Sequence, residues 1–463
     1  MRSGFSLKAA RSHAVVAAAC VAWLATVSFP SLVEGQSGER RWVGAWGTAP
    51  ISLPPAPPSS GTQPANTPFP APPQFGNRTV RQVVRASVGG SQVRVALTNR
   101  FGTKPLRIGA AHVATRAAGP AIVEKSGGAL MFRGKPSVTI EPSAVVLSDP
   151  VALDVNAFGD LAIDLYLPDE GWGAMSPTTY HSSALATSYL SPKGNHVGTA
   201  KMPVEATFQQ WLFLSRVEVS SATAPGTVVT LGDSITDGTG STPDTNSRWP
   251  DFLARRLAER YGSAAPGVIN AGIAGNRVLS HNAGSSLLKR AGIAGASEQM
   301  DDPNALFGPS GVSRFDQDVL LQPGVTHVIV LETINDIGMS GDPMSPTIED
   351  LISGHRTLIQ RAHARGLRIY GGTLTPFKGA FYWNDSGEAR RQKLNEWIRT
   401  SGEYDGVVDF DAAVRDPKDP VKFRENFQPG DWLHANDAGY KAMADAVDLA
   451  LFATTGAGSS RRR

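Results

Sequence analysis

The sequence predicts an α/β domain built on a parallel sheet, preceded by an all-β sandwich domain of jelly-roll type. Three observations predict it. From Thr227 onward, β-branched apolar runs alternate with amphipathic helical patterns, the arrangement of a parallel sheet covered on both faces. Between Val80 and Val219 the pattern is short and alternating, with turn residues between runs and little helix, as in a β-sandwich. At 463 residues the chain is too long for one ordinary core.

Residues 1–36 read as an export signal. Arg2, Lys8 and Arg11 precede the apolar stretch Ala14 to Phe29, which is too short and wrongly flanked for a membrane-spanning helix, with cleavage expected near Gly35. A secreted or periplasmic location follows as an expectation, with a lipoprotein signal at Ala18-Ala19-Cys20 or an uncleaved anchor as alternatives. Cys20 is the only cysteine, so cleavage leaves no thiol for a disulfide.

Residues 37–222 form the expected β domain. After Trp42-Val43-Gly44-Ala45-Trp46 comes a Pro-rich stretch over 50–73, which excludes helix and central strand and predicts an extended loop. Strands are expected at Val80 to Arg85, Gln92 to Leu97, Leu106 to Val113, Ser137 to Ile140, Ala144 to Leu147, Leu161 to Leu167 and Trp211 to Val219.

Residues 223–453 form the expected α/β domain. Strands are predicted at Thr227 to Leu231, Gly267 to Asn270, His327 to Glu332, Leu367 to Leu374 and Val407 to Phe410, with helices at Trp249 to Tyr261, Ile348 to Arg365, Glu388 to Thr400 and Asp437 to Phe452. Gly366 supplies the expected C-terminal cap after Arg365. Residues 454–463, Gly/Ser-rich and ending in Arg461-Arg462-Arg463, read as a disordered tail.

The charge excludes one class of partner. There are 44 basic and 41 acidic residues, and removing Arg2, Lys8, Arg11 and Glu34 with the leader leaves 41 and 40. Near neutrality there is no electrostatic case for binding nucleic acid. No pair or cluster of histidine and cysteine has metal-ligand spacing, and no phosphate or dinucleotide loop is present, so neither metal nor cofactor is expected. His112, His181, His196, His281, His327, His355 and His363 read as surface or core residues.

Chemistry concentrates at two places. Leu231-Gly232-Asp233-Ser234-Ile235-Thr236-Asp237-Gly238 puts a serine where a strand ends and a glycine-bounded turn begins, and Asp431-Trp432-Leu433-His434 offers a carboxylate and an imidazole three residues apart. A serine hydroxyl needs a neutral imidazole as base, and the imidazole needs an acceptor on its other nitrogen to fix its tautomer. Ser234, His434 and Asp431 can fill those roles. The turn lacks the Gly-x-Ser-x-Gly elbow of α/β-hydrolases, which points to a different hydrolase architecture.

Four blocks together resemble the GDSL or SGNH hydrolase family: Gly232-Asp233-Ser234; Val268-Ile269-Asn270-Ala271-Gly272-Ile273-Ala274-Gly275-Asn276; Leu331-Glu332-Thr333-Ile334-Asn335-Asp336; and Asp431 to His434. The resemblance implies an SGNH-type three-layer α/β/α sandwich. It also implies that Ser234 attacks, His434 is the base and Asp431 orients it, while Ser234 N–H, Gly275 N–H and the Asn335 amide hold the oxyanion. The region from Trp42 to Phe452 resembles secreted two-domain members with an N-terminal β-sandwich.

Thr333 departs from the family pattern, which has glycine there. If the position requires positive φ, threonine strains the loop, shifts Asn335 and modulates activity; if it is ordinary extended backbone, threonine is comfortable, with its hydroxyl free to face the acyl pocket. Ala435 is a smaller departure, where many relatives have proline.

The function expected from these residues and the resemblance is a secreted carboxylic ester hydrolase working through an acyl-enzyme, removing short acyl groups such as acetyl from a small-molecule or polysaccharide ester. The alternatives are a longer-chain lipase and a carbohydrate-binding protein whose hydrolase domain is impaired. Phe377, Phe381, Tyr382, Trp383 and Trp432 are candidates to stack on sugar rings or to anchor their loops.

Overall fold

The β-branched run from Thr227 to Gly232 forms a strand buried at every residue, as a strand packed on both faces must be. In the computed structural model, which describes residues 40–55, 73–169, 172–281, 301–339 and 346–453, it is second in a five-stranded sheet. The order is Gly267–Gly272, Thr227–Gly232, Val325–Leu331, Arg368–Gly372, Gly406–Val408. Every pairing is parallel. The carboxyl ends of the first three strands, each followed by one of the motif blocks, therefore lie side by side.

The helix Trp249–Tyr261 packs against Asp437–Asp445, and Ile348–Ala364 against Asp385–Thr400, the two helical layers of a three-layer α/β/α sandwich. Thr347 and Asp350 form a reciprocal capping box at the start of Ile348–Ala364, and Gly366 takes φ 69° just past its end. Two boundaries differ from expectation. The helix begun at Asp437 stops at Asp445, and a separate 3-10 turn runs over Leu449–Phe452, because the Asp448 side chain accepts from Ala450 N and starts a new turn. Phe410 leaves the last strand to open the short helix Phe410–Val414, capped by Asp409.

The N-terminal region is antiparallel. One sheet runs Arg41–Gly47, Leu214–Ser221, Gly90–Thr98, Val151–Val155, with Val145–Leu147 also paired to Gly90–Thr98; another runs Ala206–Phe208, Ser188–Lys193, Arg78–Arg85, Asp160–Leu167, Ala110–Thr115, Gly128–Ala129. Two expected strands are each broken in two. Gly109 separates Leu106–Ile108 from Ala110–Thr115, and Phe213, at φ 58°, separates Trp211–Leu212 from Leu214–Ser221. Inside the Pro-rich stretch, Ile51–Leu53 forms a short edge strand against Thr178–His181. The expected leader with Cys20, residues 56–72 of the Pro-rich stretch and the expected tail lie outside the described residues.

The two sheet systems share one core. The strand Arg41–Gly47 lies on the edge strand Gly267–Gly272, and a Cβ on Gly44 would stand 2.4 Å from Ile269 Cδ1. Gly44 N donates to Thr227 Oγ1 at 2.9 Å, and Ser87 Oγ bonds both Val268 N and Val268 O, at 2.8 and 3.0 Å. The glycine in Trp42-Val43-Gly44-Ala45-Trp46 is thus what lets the β-sandwich seat against the parallel sheet.

Candidate active site

Ser234 stands at the first position of a four-residue helix, Ser234–Asp237, directly after the strand Thr227–Gly232. Asp233 caps that helix, its carboxylate accepting from Ile235 N at 2.9 Å, and Gly238 closes it at φ 106°. The serine is held by strand and cap rather than by its own side chain, which leaves Oγ available.

His434 reaches it from a loop anchored at both ends. Asp431 Oδ1 accepts from the backbone of Leu433 and His434, each at 3.0 Å, and Asn436 caps the following helix through Gly439 N. Tyr440, on that helix, donates its hydroxyl to Thr239 O at 2.6 Å, and Thr242 N donates to Asp437. These bonds tie the histidine loop to the loop that follows the serine.

The result is a continuous chain of hydrogen bonds. Asp431 Oδ2 lies 2.6 Å from His434 Nδ1, and His434 Nε2 lies 2.9 Å from Ser234 Oγ. Burial works against the charge on Asp431, but the hydrogen bonds from His434 and Leu433 outweigh it and hold the carboxyl down at about 2. An ionised Asp431 accepts the Nδ1 proton and leaves the lone pair on Nε2 facing the serine hydroxyl.

The other two blocks converge on the same end of the sheet. Gly275 sits at φ 76°, where a side chain would also strike the Phe307 ring at 1.9 Å, so only glycine fits. The Asn335 amide nitrogen donates to Asn276 O at 3.0 Å, which uses one of its two protons and leaves the other. Asp336 accepts from Val278 N at 2.7 Å and Leu279 N at 3.1 Å, binding the third block to the loop of the second. Ser234, Gly275 and Asn335 all lie on the three loops that leave these adjacent strands.

Thr333 requires a correction. It is not in extended backbone: φ is 108° and ψ is −20°, a conformation that costs a non-glycine residue about 1–3 kcal/mol. Nor does its hydroxyl face an acyl pocket. Thr333 Oγ1 lies 2.9 Å from His355 Nε2, on the helix Ile348–Ala364.

Four residues support these blocks: Arg314 and Arg100, which sequence reading does not single out, and His181 and Tyr382, which it reads only as a surface or core histidine and a stacking or loop-anchoring aromatic. The buried Arg314 guanidinium donates to Gly232 O, Ala271 O, Asn276 Oδ1 and Asp318 Oδ2, joining the ends of two strands to the second block. Arg100 of the β-sandwich bonds the same Asp318 at 2.7 Å. His181, also from the β-sandwich, lies 2.9 Å from Asp237 Oδ1, whose other oxygen accepts from Ala274 N. Tyr382 OH donates to Asn335 Oδ1 at 3.3 Å, fixing which way the amide points. Their signal is tertiary and has no local motif.

Carboxyl groups crowd beneath the serine. Burial, with help from neighbouring carboxylates, pushes Asp233 up to about 7 and Glu332 well above its ordinary range; burial alone pushes Asp336 up to about 6 against its backbone hydrogen bonds. Of the proposed stacking aromatics, Phe377 is core, Tyr382 serves Asn335, Trp432 packs on Gly379, and Phe381 is 72% exposed. Among the described residues no cluster of histidine, cysteine or carboxylate side chains has the geometry to hold a metal ion.

Residues 230–442 match the model of the GDSL-like lipase/acylhydrolase family. Among solved structures, a GDSL-like lipase from Bacteroides thetaiotaomicron is 18% identical, over 49% of this chain and 87% of its own, with a TM-score of 0.32. A carbohydrate acetylesterase family member from Sinorhizobium meliloti is 14% identical, over 49% and 96%, at 0.36. An acetyl-xylooligosaccharide esterase from Geobacillus, a point mutant, is 19% identical, over 48% and 95%, at 0.33. No curated protein matches the chain.

Proposed function

Because residues 230–442 form a domain of the GDSL-like lipase/acylhydrolase family, we propose that this protein is a serine carboxylic ester hydrolase that removes short acyl groups, acetyl first among them, from a carbohydrate. The observation that carries the reading is the chain from Asp431 through His434 to Ser234 Oγ, at 2.6 and 2.9 Å.

The steps follow from that geometry. His434 Nε2 takes the hydroxyl proton as Ser234 Oγ attacks the acyl carbon, and the carbonyl oxygen gains the negative charge. Ser234 N–H, Gly275 N–H and the second Asn335 amide proton receive it. Collapse expels the alcohol, protonated by His434, and leaves an acyl group on Ser234. Water deprotonated by His434 then cleaves that ester, returning the proton to Ser234 Oγ and releasing the acid. The positively charged n-region and apolar stretch of residues 1–36 support export, so the substrate is an extracellular or periplasmic ester.

The test is hydrolysis of p-nitrophenyl acetate, butyrate and octanoate by the protein and by its Ser234→Ala variant. The reading expects activity that falls with acyl length and disappears in the variant. Activity that survives Ser234→Ala excludes the mechanism; activity that rises toward octanoate excludes the short-acyl preference.

A further inference from the structure

Thr333, His355 and Tyr404 form a buried line of side chains that the ester hydrolysis does not use. Thr333 Oγ1 lies 2.9 Å from His355 Nε2, and His355 Nδ1 lies 2.6 Å from Tyr404 OH. Thr333 is fully buried, His355 is 1% exposed and Tyr404 6%. Burial pushes the His355 imidazole down to about 4, so near neutral pH the ring carries one proton. One nitrogen then donates and the other accepts, and a hydroxyl at each end can answer either role.

The position at one end of this line is strained. A β-branched residue at φ 108° is an outlier. Thr333 is the N-cap of the helix Ile334–Gly338, yet its side chain makes no capping bond; a threonine there ordinarily accepts from the helix's own backbone. Its hydroxyl is turned outward to His355 instead. That short helix carries Asn335 and Asp336, and its first turn is set by Thr333 O accepting from Ile337 N at 3.2 Å. Whatever fixes the Thr333 torsions therefore sets the backbone that carries Asn335, and so the position from which its amide reaches Asn276 O and Tyr382 OH.

We propose that Thr333, His355 and Tyr404 act as a latch: the side-chain hydrogen bonds hold a threonine in a backbone conformation suited to glycine, and so keep Asn335 in place to receive the oxyanion. His355 and Tyr404 are positioning residues, and their importance depends on Thr333 being present. The latch's link to turnover rests on the ester hydrolase reading; its effect on the backbone does not.

A double-mutant cycle between Thr333→Gly and His355→Phe tests both parts. Phenylalanine fills the imidazole's space without its hydrogen bonds, while glycine removes both the strain and the need for the latch. Glycine is expected to raise the thermal midpoint when residue 355 is changed and to leave or lower it when His355 is intact, a coupling on the order of 2–4 °C. On p-nitrophenyl acetate, His355→Phe is expected to lower kcat about 10-fold with Thr333 in place and less than about 2-fold with Thr333→Gly, KM staying within about 2-fold, a smaller loss than removal of an oxyanion donor outright. Should His355→Phe not fold, Tyr404→Phe deletes one oxygen from the same line and is read the same way.

Additive midpoints would overturn the latch. Coupled midpoints with uncoupled kcat would overturn its role in placing Asn335. An unmutated protein that hydrolyses no ester would defeat the ester hydrolase reading and with it the link to turnover, while the midpoints still decide the latch.

Discussion

His181 of the β-sandwich is hydrogen-bonded to Asp237 at the end of the serine-bearing helix, Nε2 to Oδ1 at 2.9 Å. Its other nitrogen faces Ala49 O, also at 2.9 Å. The ring therefore bridges a backbone carbonyl of the β-sandwich and the Asp237 carboxyl. Trp211 stacks on the ring at 5.5 Å, and Trp46 packs edge-on against Trp211. The β-sandwich thus braces the turn that presents Ser234.

The first prediction follows from that pair. His181→Ala leaves the buried Asp237 carboxyl without this hydrogen-bond partner, and a buried polar group left unpaired typically costs about 1–3 kcal/mol. Urea unfolding should show a loss of that order, and kcat should fall because Asp237 also holds Ala274 N of the glycine block. Asp237→Asn, which keeps the size and an acceptor for the same bond, should cost less. Equal losses for the two variants would mean that the hydrogen bond is not what the pair contributes.

Arg314 gives the second. Its guanidinium spans Gly232 O, Ala271 O and Asn276 Oδ1 in three directions at 2.7–2.9 Å, a fork that lysine cannot reproduce. Arg314→Lys should leave at least one of those buried acceptors unpaired, at about 1–3 kcal/mol each. Guanidinium unfolding should show that loss, together with a lower kcat. Full stability in the lysine variant would show that water replaces the lost donors.

Much of this site is legible in sequence because its parts are local. The strand Thr227–Gly232 is announced by its β-branched run, and the Asp431–His434 pair by a three-residue spacing that puts Oδ2 on Nδ1 within a single loop turn. What was not legible is tertiary. Nothing near Arg100 or His181 marks them as reaching Asp318 and Asp237, and the torsion of Thr333 is decided by a histidine on the helix Ile348–Ala364. The same holds in the β-sandwich, where one alternating pattern from Trp211 to Val219 hides the break that Phe213 makes by turning to positive φ.

On the proposed mechanism, Asn335 supplies a third prediction. Asn335→Ala should lower kcat by about 10²- to 10³-fold with a smaller change in KM, since the charge it receives exists only in the transition state. Tyr382→Phe removes the hydroxyl that holds Asn335 Oδ1 at 3.3 Å and should cost a few-fold, because the bond is long and Asn276 O still orients the amide. Steady-state kinetics on p-nitrophenyl acetate separate the two. If Tyr382→Phe were as damaging as Asn335→Ala, the hydroxyl would have to touch the substrate itself.

The fourth concerns pH. Glu332 is fully buried, with the Arg314 guanidinium 3.7 Å away, and the Thr333 backbone does little to favour its charged form. Burial and the neighbouring Asp233 favour its neutral form, so above the ordinary carboxylate range the folded protein binds a proton that the unfolded chain has released. Stability must then fall as pH rises through that interval, by up to about 1.4 kcal/mol per pH unit for one such group. Asp233, pushed up to about 7, adds to the same slope until pH 7 is passed. Glu332→Gln keeps the volume and removes the titration. Thermal midpoints at pH 5 and pH 8 should therefore drop less in the variant than in the unmutated protein, and parallel drops would mean that Glu332 is ionised in the fold.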